Sequence, residues 1–162
     1  MSVVSEGGRL AAAIAGGLNG AKFSKPFTAA VGYGLRLKLE DADTLRVDVA
    51  PFRSTAELET RGSVRWTHVV DIGVRYRFGL RDQNTRTGQI TPESVDEYRC
   101  LLQEIVHWCF SNRRLTDSDM NVDAAIVEDP EVRADVLAKH FDEWGQFTGL
   151  VRVQYMTVTE IT

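Results

Sequence analysis

The stretch from Val64 to Phe78, VRWTHVVDIGVRYRF, constrains the fold more than any other part of the chain. Its even positions are Val64, Trp66, His68, Val70, Ile72, Val74, Tyr76 and Phe78; its odd positions include Arg65, Thr67, Asp71, Arg75 and Arg77. Alternation with a period of two predicts a strand with one apolar and one polar face. A straight strand of this length spans roughly 50 Å at about 3.3 Å per residue. A compact domain of this size has a diameter of only roughly 40 Å. The strand must therefore bend, with Gly73 as the natural place, or project from the body.

The 162 residues fit one domain over 1–162, long enough to bury a core. With 26% charged residues and a net charge of -4, the chain lacks the basic excess of a protein held electrostatically on nucleic acid. Cys100 and Cys109 lie nine residues apart in a predicted helix, on opposite faces, so no disulfide between them is expected and a reducing compartment is indicated. The N-terminal MSVVSEGGRLAAAIAGGL has no basic region ahead of a short apolar stretch, which predicts neither a signal peptide nor a membrane span.

A first helix is expected from a Ser5 cap to about Asn19, with Leu10, Ile14 and Leu18 as a narrow apolar stripe. Its glycines, Gly7, Gly8, Gly16 and Gly17, call for tertiary support or close packing against another backbone. Strands follow at Tyr33–Leu39 and Leu45–Val49, joined by the acidic link Glu40–Asp43, and Pro51 should end the second. Residues 53–62 read as a polar loop, and so do residues 79–91. Thr91 and Pro92 open the clearest helix, whose buried face should be Val95, Tyr98, Leu101, Leu102, Ile105 and Cys109, with Arg113 and Arg114 complementing its C-terminal end. A strand at Val122–Val127, a short helix from Asp129-Pro130 to about Phe141, and a closing strand over Thr148–Val158 complete the pattern. The predicted class is α+β: a largely antiparallel sheet of four to five strands, two main helices packed on one face, and one long strand able to project as a β-arm.

Asp117, Asp119, Asn121 and Asp123, with Glu128 at the twelfth position, have the oxygen-ligand spacing of a calcium loop. Val122 occupies the position that requires glycine, which favours an acidic surface turn, although a calcium- or small-ligand-binding domain using residues 117–128 stands as an alternative. His68, His107 and His140 form no metal pattern, and His68 on an apolar strand face reads as a hydrogen-bonded core residue. Asp71 and His68 are an odd number of strand positions apart and point to opposite sides, so they form no catalytic pair; Asp71 is better read as a cross-strand ion pair or an interface contact. No nucleophile elbow or phosphate loop is present.

Several stretches, in order, resemble the tail-terminator proteins of tailed bacteriophages, also called tail-completion or neck proteins. Phe23, Ser24, Phe27 and Ala29 are similar to that family's Phe-Ser-x-x-Phe-x-Ala turn, and Leu45, Val47, Val49 and Pro51 to its Leu-x-Val-x-Val-x-Pro strand. Asp71, Ile72 and Val74 resemble its Asp-Ile-x-Val strand. Val95, Asp96, Leu101, Glu104 and Ile105 resemble its next helix, and Phe147, Thr148, Leu150 or Val151, and Tyr155 its closing strand. The glycine-rich first helix, Gly34 and the loosely matching residues 128–146 depart from the family pattern, which leaves a head-completion or stopper protein as an alternative neck component. The resemblance implies a structural virion protein at the tail–head junction, assembled in the host cytoplasm. It implies a ring, commonly a homo-hexamer, that caps the tail tube, ends its polymerisation and docks to the head connector. Double-stranded DNA would pass non-specifically through the lumen, without cofactor, metal or catalysis. Under that reading Arg65, Asp71, Arg75 and Arg77 form a candidate subunit-interface or lumen face, and Arg81, Asp82, Asn84 and Arg86 a candidate interface loop.

Overall fold

The computed structural model describes residues 4–32, 44–117, 122–126 and 133–161. In chain order these form α1 (Glu6–Gly20), β1 (Ala29–Val31), β2 (Arg46–Thr60), β3 (Ser63–Arg77), a turn of 3-10 helix (Leu80–Asp82), α2 (Pro92–Ser111), β4 (Arg114–Asp117), β5 (Val122–Ile126), β6 (Arg133–Val136), α3 (Ala138–Trp144) and β7 (Gln146–Glu160). The class is α+β. The sheet runs β1-β2-β3-β7-β5-β4, with β6 also on β7, and every pairing except β1–β2 is antiparallel. It has more strands than the four to five expected, because β1, β4 and β6 are only three or four residues long and too short to show alternation. The strand expected at Tyr33–Leu39, its acidic link Glu40–Asp43, and Asp119, Asn121, Glu128, Asp129 and Pro130 lie outside the described residues.

Ser5 caps α1 by accepting the Gly8 N–H at 3.1 Å, and Leu10, Ile14 and Leu18 are fully buried as one stripe. Thr91 caps α2, Pro92 opens it, and Tyr98, Leu101, Leu102, Ile105 and Cys109 are buried. Both helices lie on the even face of β3, over Val70, Ile72, Val74 and Tyr76, joined by Val47, Val49, Phe147, Val151, Val153 and Tyr155 from the flanking strands. Close approach explains two glycines. A Cβ on Gly17 would stand 2.5 Å from Trp108 of α2, and one on Gly149 would stand 2.5 Å from Leu102. The segment after α1 clamps α2: Ser24 N–H donates to Glu104 at 2.9 Å, Lys25 pairs with Glu97 at 2.6 Å, and Phe23 packs against Phe27 with the rings tilted.

Three expectations need correction. Pro51 does not end β2. It sits opposite Val70 beside a bulge at Phe52, and the strand resumes to Thr60, so residues 53–60 are strand rather than loop. The short helix begins at Ala138, after β6, and runs past Phe141 to Trp144, where Gly145 takes φ 59° and ends it. Arg114 lies in β4 rather than at the end of α2, and its guanidinium grips Asp123 of β5 at 3.1 and 3.0 Å.

β2, β3 and β7 are 15 residues each and pair along almost their whole length. Near the helices they form the centre of the sheet. Beyond the bulge they continue side by side for about 25 Å; β5 still pairs with β7 at Tyr155 and Met156, so only the stretch from Ala56 to Thr60, about 17 Å, is a three-stranded arm. Gly73 is an ordinary strand position between Asp48 and Leu150, and the excess length of β3 is taken up by this arm.

Candidate assembly surface and the base of the arm

Every residue of β2 from Phe52 to Thr60 is exposed, including Phe52 at 58% and Leu58 at 75%. β1 covers the outer edge of β2 only over Val47–Val49. Among the described residues, nothing pairs with that edge from Phe52 to Thr60. Gly32 N–H donates to Val49 O at 2.9 Å, so Val49 directs its backbone groups outward. The register shift at the bulge then places the outward-directed groups of the arm at Ser54, Ala56 and Leu58. On the opposite side, Val158 and Ile161 near the end of β7 are also exposed. An unpaired strand edge flanked by exposed apolar side chains is a template for pairing with another chain.

The structure divides the four residues of the odd face. Arg65 is exposed and paired with Glu59 across the arm, and Arg77 is exposed at the end of β3. Asp71 is only 6% exposed and forms the cross-strand ion pair with Arg152, Nε to Oδ1 at 2.7 Å and Nη2 to Oδ2 at 2.9 Å. Phe52, the bulged residue, lies over the same guanidinium at 4.2 Å. Arg75 is 5% exposed, donates one Nη2 bond to Asp48 at 2.7 Å, and leaves Nε and Nη1 buried without an acceptor. Asp71 and Arg75 are thus buried within their own chain, and a lysine at 71 would act on folding before assembly. The loop divides similarly. Asp82 accepts from Gly79 N–H at 2.8 Å and Tyr76 O–H at 3.2 Å, and Asn84 accepts from Arg86 N–H at 2.9 Å, so both carboxyl and amide shape the turn. Gly88 closes that turn at φ 67°. Arg81 and Arg86 are exposed.

Where α1 meets the arm, residues from three distant segments assemble around His68. Ser54 of β2 sits directly opposite His68 of β3, and its Oγ is 2.8 Å from Nδ1. His68 Nε2 is 3.0 Å from Thr157 Oγ1 of β7 and 3.4 Å from Glu6 of α1, while Thr157 O–H donates to Glu6 at 3.2 Å. His68 is 2% exposed and stacks on Trp66. Burial pushes its imidazole below the ordinary value, with Glu6 pulling in the opposite direction. It is the hydrogen-bonded histidine expected from its apolar face, but three of its partners lay in segments with no visible relation to it.

Among the described residues no cluster of side chains could hold a metal ion, and Asp117 and Val122, two positions of the candidate calcium loop, are paired strand residues of β4 and β5. No helix there is long and apolar enough to cross a membrane. No protein-family model matches the chain, and a comparison with curated proteins finds no relative.

Proposed function

We propose that this chain is a ring-forming structural subunit of the tail-terminator class of tailed bacteriophages, working at the tail–head junction of the virion. The observation that carries the reading is the arm: among the described residues nothing pairs with its outer β2 edge from Phe52 to Thr60, and Phe52 and Leu58 are exposed along it. A contact between that edge and a different surface of the next copy is heterologous, and repetition of such a contact closes a ring when the rotation permits. The ordered resemblance to the family supports the same reading. Its Phe23, Ser24 and Phe27 motif forms the clamp on α2, a role that would fit any member built on this helix pair. The partners that follow are further copies of the chain, commonly six in all, the tail tube protein, the head connector or stopper, and DNA passing through the lumen. Arg65, Arg77, Arg81 and Arg86 are the exposed cations to test at neighbours or lumen.

Proline at position 56 tests this directly. The Ala56 N–H points away from β3, so Ala56→Pro removes an edge donor without breaking the β2–β3 ladder. Mass photometry and negative-stain imaging should show closed rings for the wild type and monomers with an unchanged far-UV circular dichroism spectrum for the variant. A wild-type protein that stays monomeric at high concentration and does not bind tail-tube ends refutes the proposal.

A further inference from the structure

The cluster at the base of the arm has the connectivity of an activated nucleophile. Thr157 has one hydroxyl hydrogen and gives it to the Glu6 carboxylate, which can only accept. Its oxygen is then left to accept from His68 Nε2–H at 3.0 Å. That fixes the tautomer, with Nδ1 bare and accepting from the Ser54 hydroxyl at 2.8 Å. A serine hydroxyl donating to a neutral imidazole whose far side is held by a hydroxyl anchored to a carboxylate is a relayed form of the arrangement by which weak nucleophiles are activated. The buried ring is neutral near pH 7, as a base must be, because desolvation lowers its pKa. Ser54 lies in an exposed run of strand, and it opens onto a cavity of about 250 Å³ that Trp66 also lines. The first turn of α1 borders the same cavity: a Cβ on Gly7 would stand 3.5 Å from Ser54 Oγ and 3.9 Å from His68 Nδ1. The Glu6 and Gly7 amides at that helix start have no acceptor within the helix.

We propose that Ser54 and His68 form an acyl-transfer site for small uncharged esters, with Thr157 and Glu6 as positioning residues. Ser54 Oγ attacks the ester carbonyl carbon and His68 Nδ1 takes its proton. The bond to the alcohol breaks, the alcohol leaves with that proton, and water then hydrolyses the acyl-serine to release the carboxylic acid. The acyl group would rest against Trp66, and Glu6 disfavours an anionic substrate. The site goes beyond the ring reading and does not depend on it, because covalent chemistry can be read on a monomer as well as on a ring.

The test is labelling with a short-chain alkyl fluorophosphonate, in which the Oγ–P bond forms and fluoride leaves, alongside hydrolysis of p-nitrophenyl acetate. The folded wild type should carry one adduct, assigned by fragmentation to Ser54. Ser54→Ala should abolish it, and His68→Gln should slow it by roughly 100-fold or more. Around His68, Ser54 comes from β2, Thr157 from β7 and Glu6 from α1, and Glu6 is the charged partner. Removing that charge by Glu6→Gln should move the acid limb of the labelling rate to lower pH, which a merely structural contact would not do. Protein denatured in urea serves as the control that needs no variant to fold. No adduct at Ser54 in the folded wild type, or an equal rate in denatured protein or in folded His68→Gln, overturns the proposal.

Discussion

The Asp48–Arg75 pair makes the sharpest demand on this structure. Arg75 is almost wholly buried, yet only one of its guanidinium nitrogens has a partner, and Nε and Nη1 have none. Asp48 is better placed, with 23% of its side chain exposed. Removing each partner therefore has a different consequence. Asp48→Ala strands a buried cation with no counter-charge, which costs about 3–5 kcal/mol. In a chain of this length that lowers the melting temperature by about 10 °C. Arg75→Met fills similar space with apolar atoms and leaves a carboxylate that water can reach. The substitution loses the pair but also removes two unsatisfied donors, each worth about 1–3 kcal/mol of desolvation penalty. The expected net change is within about 1 kcal/mol of zero. Urea unfolding followed by circular dichroism, with the m-value held constant between variants, measures both. If Arg75→Met costs as much as Asp48→Ala, the guanidinium is not the strained partner and the reasoning fails.

The adjacent glycines Gly16 and Gly17 in the C-terminal third of α1 should respond in opposite directions. Gly17→Ala drives a methyl to 2.5 Å from Trp108 and should destabilise by about 1–3 kcal/mol, whereas Gly16→Ala meets nothing within 4 Å and should stabilise by up to about 1 kcal/mol, both read from denaturant midpoints. His68 and His140 both have pKa values lowered chiefly by burial from the ordinary 6.5. The folded form then holds fewer protons than the unfolded form, so stability is full above pH 6.5 and is lost as pH falls through the depressed values. The double variant His68→Gln, His140→Gln should have a flatter stability profile between pH 7 and 5, and an unchanged slope would refute the assignment. Cys109 is buried and its thiol is pushed up to about 12, while Cys100 is exposed. An aromatic disulfide reagent should titrate one thiol in the native protein and two in denaturant.

The parts of the fold that show in the sequence are those whose signals are local. α1 and α2 carry their caps and stripes within their own spans, and β3 alternates without interruption for its whole length. The parts that do not show depend on partners far along the chain. β6 is a strand because Arg133–Val136 pair with Gly149–Arg152, and nothing in four residues announces that. The charge types of the odd face were legible, but the sequence left Asp71 open between a cross-strand ion pair and an interface contact. Its partner Arg152 follows only from the β3–β7 register, and so does the separation of buried Asp71 and Arg75 from exposed Arg65 and Arg77.

The hidden half of β2 has a single physical cause. Before the bulge its odd residues face the helices: Val47 lies opposite Val74 and Val49 opposite Ile72. After Phe52 the phase reverses, and the even residues Ser54, Ala56 and Leu58 lie opposite His68, Trp66 and Val64. Reading 45–60 as one alternating strand therefore fails at Pro51, and the polar run beyond it resembles a loop. An uninterrupted register would set Ser54 against Thr67, on the face away from His68. The one extra residue that obscures the strand is thus what brings Ser54 to the imidazole and turns Leu58 to the side of Trp66 and Val64. The arm and the Ser54–His68 site are consequences of the same bulge. A second residue inserted after Phe52, if the distal pairing is kept, must be absorbed there as a wider bulge. If the pairing instead slips by one, Ser54 leaves His68, and its fluorophosphonate reactivity should vanish while the β3–β7 half of the arm persists.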